Sequence, residues 1–515
     1  MSSTRPDNLR RVRLWLAMIG AVVIAGSLVT AVQLEDGGDP PPPVDSHVVI
    51  EPKAVSAALR PGFLGLSIEY PAVLPYAGPN PAALNPVFVQ LVANLAPNQP
   101  RVLRIGGDSS DATWWPVRRR KRPSGVVYSL SPNWLETTRA LARRLNARLI
   151  LGVDLEAGQP PLAVAEAHAL LAGIGRARIL ALELGNEGNR YSLFAWYHTS
   201  SGRPVYARRR GYDLQAFTQD FARVRRRLPG VALAGPTVGG FAWLSPLRGF
   251  LAGEPSVRVV TFHRYALNRC DGNRASPRYA SVANLLLAGS SRGLAQGVAP
   301  YAAIAHRHRA LFRVDEFNSV ACAGKLGVSN TFAAALWSLD ALFSLARAGV
   351  DGINVHTFPT AAYQLFTFRR TGHHWTASIR PEYYGLVLFA QAAPAGSRLL
   401  AVQQTGSPAV RTWATRGRDG TRRLLLINAD PRAEHVVAVR DGTAPTGAVA
   451  TLERLTGPSA DAASGATLGG RQFAPATGRL TGRPVLTPAI ALRGTYQVTL
   501  PRASAALLTF RPSGT

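Results

Sequence analysis

Short apolar segments alternate with amphipathic helical segments from Phe63 to about Tyr384. Eight segments are almost continuously apolar, which is typical of parallel strands covered on both faces. The predicted strands are Phe63–Ile68, Val102–Gly106, Arg148–Asp154, Ile179–Gly185, Val231–Gly235, Val257–His263, Leu311–Glu316 and Gly352–His356. Eight strand–helix units predict an α/β fold, a (β/α)8 TIM barrel with its functional residues at the carboxyl ends of the strands. A doubly wound sheet is the alternative, but no glycine-rich turn follows the first strand.

Helix start signals lie between the predicted strands. Asp213 can cap a helix over Leu214–Leu228, because a short polar side chain accepts hydrogen bonds from the first free amides of a helix. Ser329 or Asn330 can cap a second helix over Thr331–Arg347, which Gly349 then ends. These signals support the alternation of strands and helices.

The pattern changes after Tyr384, where strands follow one another without helices between them. Turn dipeptides such as Asp419-Gly420 separate them. The predicted strands are Ser397–Gln403, Val410–Thr415, Arg422–Asn428, His435–Arg440, Tyr496–Leu500 and Ala505–Arg511. We therefore expect a catalytic barrel over residues 47–390 and an all-β sandwich domain over residues 391–515.

The N-terminus carries a targeting signal. Arg10, Arg11 and Arg13 immediately precede Leu14–Val32, an uncharged segment of nineteen residues. This length fits either a membrane anchor or a signal peptide, so residues 1–35 are predicted to be one of the two. A proline-rich linker over residues 36–46 follows. Both alternatives export the remaining chain, which would be secreted or anchored to the outer face of the membrane.

The chain of 515 residues has a formal net charge of +28, which suggests an anionic partner. Only three of the 58 basic residues are lysines, however, so the excess of arginine also fits a coding bias over the whole surface. No basic run is interleaved with aromatic residues, so nucleic acid is not expected as a partner.

The sequence lacks P-loop, zincin, redox-dithiol and nucleophile-elbow motifs, and no cofactor or metal is predicted.

Two predicted strand ends carry carboxylates. Glu187 follows strand four and Glu316 ends strand seven, so both would lie at the catalytic rim of the barrel. Glycoside hydrolysis uses two carboxyl groups, one to protonate the leaving oxygen and one to attack the anomeric carbon. A single glutamate at a strand end is weak evidence, but this pair in one barrel is much more specific.

Several motifs in this order resemble glycoside hydrolase family 79, the β-glucuronidase and heparanase family. The resemblance runs from about Ile50 to Pro512 and is greatest to bacterial exo-β-glucuronidases. Its motifs include Phe63–Glu69, Leu103–Asp111, Glu183–Glu187, His263–Tyr265, Glu316–Ser319 and Gly327–Ala333.

The resemblance assigns a role to each matching residue. It implies that Glu187 is the acid/base, that Glu316 is the nucleophile, and that Asn186 binds the sugar 2-hydroxyl. Arg104 and Tyr265 would hold Glu316 ionised and oriented, while burial and its charged neighbour would keep Glu187 protonated. Further substrate-binding positions are Glu69, Asp111, His263, Tyr265, Gly324 and Tyr363.

One loop departs from the family pattern. The family usually has a glycine-rich run after the nucleophile, whose backbone amides meet the uronate carboxylate. Here the run is Ala321–Lys325, and only Gly324 remains. Cys322 lies in this loop and Cys270 follows strand six. Because they are the only cysteines, at adjacent strand ends of an exported chain, we expect a disulfide between them.

The leading hypothesis is a retaining β-glucuronidase that releases glucuronic acid from uronic-acid-containing glycans or glycoconjugates. A retaining glycosidase of the same clan that cuts a neutral sugar is a second hypothesis. A surface-anchored protein that binds acidic polysaccharide without cleaving it is a third, although such a protein has no need of both Glu187 and Glu316. The Arg104–Glu183 pair and His356 can also be explained as core packing. The sequence does not predict an oligomeric state.

Overall fold

The computed structural model describes residues 43–441 and 447–512. Eight parallel strands form a closed barrel, and each coincides with one of the eight predicted strands. In chain order, barrel strands one to eight are Leu64–Ile68, Arg101–Ile105, Ala147–Val153, Ile179–Leu184, Leu233–Val238, Val257–Asn268, Leu311–Ala321 and Gly352–His356. The predicted barrel is therefore confirmed.

Barrel strands six and seven are longer than predicted. They remain paired beyond the barrel rim, where Leu267 lies opposite Val320 and Asn268 lies opposite Ala321. The disulfide between Cys270 and Cys322 joins the two strands just past this extension. The extension places His263 and Glu316 within paired strands rather than in loops, which fixes their backbones more firmly.

Helices lie between the barrel strands and around them. The α-helices are Val73–Ala77, Pro86–Leu95, Pro132–Arg144, Pro160–Leu170, Leu214–Arg225, Phe241–Leu244, Leu247–Gly253, Val282–Leu285, Ala288–Ala295, Ala299–Arg307, Phe332–Arg347 and Pro381–Ala392. Asp213 caps its helix as predicted, because its carboxylate accepts a hydrogen bond of 2.9 Å from the Ala216 amide.

The start of helix Phe332–Arg347 differs from the prediction. Its cap position is Thr331, whose side chain accepts no capping hydrogen bond. The first two amides of the helix, those of Phe332 and Ala333, donate to the carbonyls of Ala462 and Ala460 at 2.9 and 2.7 Å. The C-terminal domain thus supplies the cap, and a local sequence signal could not have revealed it.

The C-terminal region forms one ten-stranded, mostly antiparallel sheet. Its strands are Ser46–Ala54, Arg398–Gly406, Val410–Arg416, Arg422–Asn428, His435–Asp441, Val449–Thr456, Thr467–Leu468, Leu486–Ile490, Thr495–Leu500 and Ser504–Phe510. Strands from both halves of the sheet share one apolar core; Val439 and Val498 pack there with Leu424 and Leu508. The sheet therefore encloses its own core, which confirms a separate all-β domain.

The first strand of this sheet comes from the N-terminal end of the described chain. Ser46–Ala54 pairs antiparallel with Arg398–Gly406 and parallel with His435–Asp441. We had expected these residues to begin the barrel domain, so the boundary differs here. The physical reason is that the strand pairs with segments some 350 residues away in sequence, and a local sequence pattern cannot indicate such long-range pairing.

The barrel and the sheet domain are joined through a buried aspartate. Asp340, on helix Phe332–Arg347, accepts hydrogen bonds from the Trp413 indole at 2.7 Å and the Arg411 guanidinium at 3.1 Å. Both donors belong to the sheet domain, and all three side chains are buried. The sheet domain thus holds the helix that follows strand seven, which carries Glu316.

The predicted targeting segment, residues 1–35, lies outside the described residues. Within residues 43–441 and 447–512, no helix is both long enough and apolar enough to cross a bilayer.

Candidate active site

Arg104 is at the centre of a buried charge network inside the barrel. It lies on barrel strand two, and its side chain has no solvent exposure. Its guanidinium binds Glu183 at 2.8 Å, Glu316 at 2.6 Å and Asn186 at 2.8 Å. A buried cation is tolerated only when it is paired in this way. Arg104 therefore fixes the side chains of Glu316 and Asn186 relative to each other.

Glu316 is held from both sides. Its Oε2 accepts the hydrogen bond from Arg104, and its Oε1 accepts one from the Tyr265 hydroxyl at 2.8 Å. Burial opposes ionisation of this carboxyl group, but the charges of His263, His356 and Arg104 outweigh burial and lower its pKa. The structure thus keeps Glu316 as a carboxylate, the form that a nucleophile requires.

Glu187 follows barrel strand four with a left-handed backbone, φ 47°. Its amide donates to the Thr237 carbonyl at 2.8 Å, which ties it to the next barrel strand. Its Oε1 lies 3.0 Å from Nδ1 of His263, and its Oε2 accepts a hydrogen bond of 3.0 Å from Arg190. Both oxygens therefore face cationic groups.

The pKa of Glu187 is lowered, whereas we had expected it to be raised. Burial and the charge of Glu316 do raise it, but the hydrogen bond and charge of His263, together with Arg190, lower it further. For His263, burial opposes the cation, but Glu316, Asp315 and Glu187 raise its pKa to about 9. In the free protein the proton is therefore held on His263, 3.0 Å from the carboxylate that would use it.

One histidine nitrogen is close to both candidate catalytic carboxylates. Nδ1 of His263 lies 3.0 Å from Oε1 of Glu187 and 3.8 Å from Oε1 of Glu316. His263 stands opposite Glu316 in the strand register. The sequence predicts His263 as a substrate ligand, and in the structure it contacts the candidate acid/base and the candidate nucleophile.

Asp111 has protein donors on both carboxylate oxygens. One oxygen accepts hydrogen bonds from the amides of Leu155 and Glu156, and the other from the Asn186 amide and the Tyr191 hydroxyl. In this structure its carboxylate holds Asn186 in position from the wall of the cleft. Asp108, which the sequence analysis did not select, has a side chain 77% exposed and lies 3.3 Å from the Asn186 amide group.

Glu69 follows barrel strand one and lies beside the short helix Asp108–Ala112. Its carboxylate accepts hydrogen bonds from the amide and hydroxyl of Ser109, and His356 lies 3.2 Å from its other oxygen. The second ring nitrogen of His356 lies 3.0 Å from the Ser67 hydroxyl. His356 therefore supports Glu69 and is part of the wall of the site. From the sequence alone, His356 could also be explained as core packing.

The loop after strand seven contacts the loop after strand eight. Cys322, Ala323 and Gly324 have left-handed φ angles of 62°, 61° and 79° in succession. A β-carbon at Gly324 would come within 2.8 Å of the Tyr363 ring, so only glycine fits. The Ala362 amide donates to the Ala323 carbonyl at 2.8 Å, and the predicted disulfide closes the loop on its other side.

Tyr363 connects this loop to the surroundings of Glu316. It is buried, and its ring lies 6.0 Å from the ring of Tyr265, which binds Glu316. The structure thus gathers Gly324, Tyr363 and Tyr265 on one side of the cleft. Among the described residues, no group of His, Cys, Asp or Glu side chains is arranged to hold a metal ion.

Comparisons with known proteins support the family resemblance. Residues 412–507 match the glycosyl hydrolase family 79 C-terminal beta domain. No curated protein sequence matches the chain. A solved structure with the same fold is a 4-O-α-L-rhamnosyl-β-D-glucuronidase from Fusarium oxysporum 12S, with a TM-score of 0.70 and 20% identity. It covers 90% of this chain and 100% of its own.

Other structures share the fold at lower identity. A family 51 arabinofuranosidase from Xanthomonas axonopodis pv. citri has a TM-score of 0.64 and 17% identity, covering 91% of this chain and 100% of its own. A family 44 xyloglucanase from Paenibacillus polymyxa has a TM-score of 0.59 and 10% identity, with the same coverage. These likenesses concern the fold of barrel plus β domain.

Proposed function

We propose that this chain is a glycoside hydrolase of family 79, a retaining β-glucuronidase that releases glucuronic acid from glycans or glycoconjugates by double displacement. One observation carries the proposal. Arg104 and Tyr265 bind Glu316 and favour its ionised form, and Glu187 lies 3.0 Å from His263, a group that can hold a proton. An ionised nucleophile next to a proton donor is the arrangement that glycosidic cleavage needs.

In the first step, an oxygen of Glu316 attacks the anomeric carbon as the glycosidic bond breaks. Glu187 receives the proton of His263 across the 3.0 Å contact and gives it to the leaving oxygen, so that neither Glu187 nor His263 carries this proton after the step. The products of this step are a glycosyl ester on Glu316 and the free aglycone. Asn186, fixed by Arg104 and Asp111, is placed to bind the 2-hydroxyl as positive charge develops on the sugar.

In the second step, Glu187 takes a proton from water, and the resulting hydroxide oxygen attacks the anomeric carbon. The ester bond to Glu316 breaks and the carboxylate returns to Arg104 and Tyr265. The proton on Glu187 restores the Glu187–His263 pair. Two inversions give net retention, and the contact of both carboxylates with one His263 nitrogen supports the short separation of about 5–5.5 Å typical of retaining pairs.

The loop containing Gly324 is the candidate site for the uronate carboxylate. Gly324 and Tyr363 are in contact beside Glu316, and a second anion next to Glu316 needs donors that offset the repulsion. The net charge of +28 favours approach of an acidic substrate at low salt. Because only Gly324 remains of the glycine-rich run, a neutral-sugar glycosidase is the second candidate.

Aryl β-glycosides separate the two candidates. We expect kcat/KM for aryl β-glucuronide to exceed that for aryl β-glucoside at least about tenfold, since donors that meet a carboxylate are left unpaired by a hydroxymethyl group. The salt concentration is matched in both assays, so that long-range attraction does not bias the ratio. An equal or higher value for the glucoside would reject the glucuronidase proposal and favour the neutral-sugar candidate.

Export of the enzyme is part of the same proposal. The support is the uncharged segment Leu14–Val32 behind a basic flank and a disulfide, which persists in oxidising compartments. Fractionation of cells expressing the full chain tests it: activity in the cytoplasmic fraction alone would reject export, and removal of residues 1–35 should retain the enzyme inside the cell.

A further inference from the structure

A pocket of about 290 Å³ opens beside Glu187, on the side away from His263. It is lined by residues that follow barrel strands two, three and four. Phe194 and Trp196 supply aromatic surface, and Asp108, Glu156 and Arg190 supply polar groups. Glu187 is itself part of the lining, so a group that takes a proton from Glu187 would lie next to this pocket.

The aromatic wall of the pocket, formed by Phe194 and Trp196, is held in place by contacts within the protein. The loop carrying it is anchored twice on Asp111, through the Tyr191 hydroxyl at 2.7 Å and the Trp196 indole at 2.9 Å. Trp196 lies directly over Gly125, where a β-carbon would collide with its ring. Between these anchors, the amides of Leu193 and Phe194 both donate to the Arg190 carbonyl. The loop is therefore fixed, yet the side chains of Leu193 and Phe194 on it are exposed.

Leu193 and Phe194 are 67% and 56% exposed on this fixed loop. The Arg190 guanidinium lies 4.6 Å from the centre of the Phe194 ring, and the same guanidinium binds Glu187. Exposed apolar surface on an ordered segment at a cleft indicates a binding surface. The exposed Phe194 ring therefore lies against Arg190, which in turn binds the candidate acid/base Glu187.

The charge of the pocket limits what it accepts. Its lining contains four carboxyl groups, Asp108, Asp111, Glu156 and Glu187, against one guanidinium, Arg190. Arg190 is already bound to Glu187 at 3.0 Å and lies 3.4 Å from Asp108. Burial and the charges of Asp111 and Asp154 raise the pKa of Glu156 to about 9, so this group is a neutral hydrogen-bonding partner at pH 7.

We propose that this pocket is the aglycone subsite and that it binds a neutral ring bearing hydroxyl groups, rather than a sulfated or uronate unit. Phe194 and Trp196 offer apolar surface to the ring, and Asp108 and Glu156 offer acceptors to its hydroxyls. A hexose unit and a hydroxylated aryl group share this chemistry. The proposal rests on the proposed function only in that Glu187 protonates the leaving group. The net positive charge of the protein therefore acts on the uronate unit of the substrate, whereas the acidic lining of this subsite acts on the leaving group.

The first experiment uses the full chain and compares leaving groups on one glycone. The substrates are methyl β-glucuronide, a hydroxylated aryl β-glucuronide, glucuronic acid β-linked to a neutral hexose, and the same disaccharide with a sulfate on the hexose. We expect kcat/KM for the neutral disaccharide to exceed that for the sulfated one at least about tenfold, because the pocket adds repulsion to the anionic unit. A preference for the sulfated disaccharide would overturn the proposal. Aryl and hexose leaving groups are ranked against each other in the same assay.

The second experiment tests the aromatic wall. Phe194→Ala should lower kcat/KM for the ring-bearing substrates about threefold to tenfold, and change the ratio of ring-bearing to methyl substrate by the same factor. Tyr206→Ala is the matched control, since Tyr206 is 49% exposed on the same loop but does not line the pocket. An equal loss on the methyl substrate, as expected if Phe194 only supports Arg190, would overturn the proposal.

These experiments distinguish failure of the glucuronidase assignment from failure of the aglycone subsite. If the enzyme turns over β-glucosides and not β-glucuronides, the glycone assignment fails, and the ring-to-methyl ratio of Phe194→Ala on the glucosides still decides the subsite. An unchanged ratio on the active glycone rejects the subsite alone. Absence of turnover on every glycoside rejects both.

Discussion

Nδ1 of His263 lies 3.0 Å from Oε1 of Glu187, within hydrogen-bond distance of the candidate acid/base. The histidine pKa is raised to about 9 and the glutamate pKa is lowered, so the pair holds one proton on the histidine side. The pair keeps this proton below about pH 9 and can transfer it to the leaving oxygen through Glu187. A general acid with a depressed pKa of its own can therefore still act at neutral pH.

The variant His263→Gln tests whether His263 holds the proton that Glu187 donates. In the wild type, the alkaline limb of the pH profile of kcat/KM should lie near pH 9, where His263 loses its proton. In the variant, Glu187 must hold the proton alone. Its pKa rises when the cation is removed but remains that of a carboxyl group, so the limb should move to lower pH.

The profile is measured on a substrate with a poor leaving group, because such a substrate depends on protonation. His356→Gln is the control, since His356 contacts Glu69 and not Glu187, and it should leave the alkaline limb in place. An alkaline limb that stays near pH 9 in His263→Gln would show that the proton comes from elsewhere.

The disulfide is expected to stabilise the loop that carries Gly324. It closes an interval of 52 residues, and Cys270→Ser/Cys322→Ser should lower the free energy of unfolding by about 2–4 kcal/mol. Because Gly324 contacts Tyr363 beside the nucleophile, KM for the glucuronide should rise more than kcat falls. Denaturant unfolding and steady-state kinetics measure both effects. Unchanged stability and KM in the double variant, or in the reduced wild type, would contradict this role.

Asp340 should contribute strongly to the joining of the two domains. Asp340→Asn removes a charge that faces the buried Arg411, whose side chain is 4% exposed, and we expect a loss of about 3–5 kcal/mol in the free energy of unfolding. Arg60→Ala is the comparison, because the Arg60–Asp351 pair is on the surface and should contribute less than about 1 kcal/mol. Equal effects of the two substitutions would contradict the interpretation.

The sequence predicted the barrel well because parallel strands that are covered on both faces leave a local signature. Every barrel strand appeared as a short apolar segment, and Gly352–His356 was predicted with its observed limits. The positions of Glu187 and Glu316 followed from this pattern together with the family resemblance. The contacts of both glutamates with His263, and of Glu316 with Arg104, follow from the closure of the barrel, which brings strands two, four, six and seven together.

Features that depend on distant partners were not predicted. The pairing of Ser46–Ala54 with Arg398–Gly406 and the capping of Phe332 by Ala462 join segments far apart in the chain. The choice between Asp108 and Asp111 depends on the short helix Asp108–Ala112, which turns one carboxylate inward and leaves the other exposed. The pKa direction of Glu187 depends on His263 and Arg190, whose positions the sequence pattern does not give.

Trapping the glycosyl-enzyme tests the central claim most directly. The full chain is incubated with an activated 2-deoxy-2-fluoro-β-glucuronide, digested and analysed by mass spectrometry; the 2-fluoro group slows the second step, so the ester accumulates. The mechanism predicts one fluoroglucuronosyl adduct on the peptide that contains Glu316, and none in Glu316→Gln. An adduct on another residue, or turnover without any adduct and with inverted anomeric configuration of the product, would contradict a retaining mechanism on Glu316.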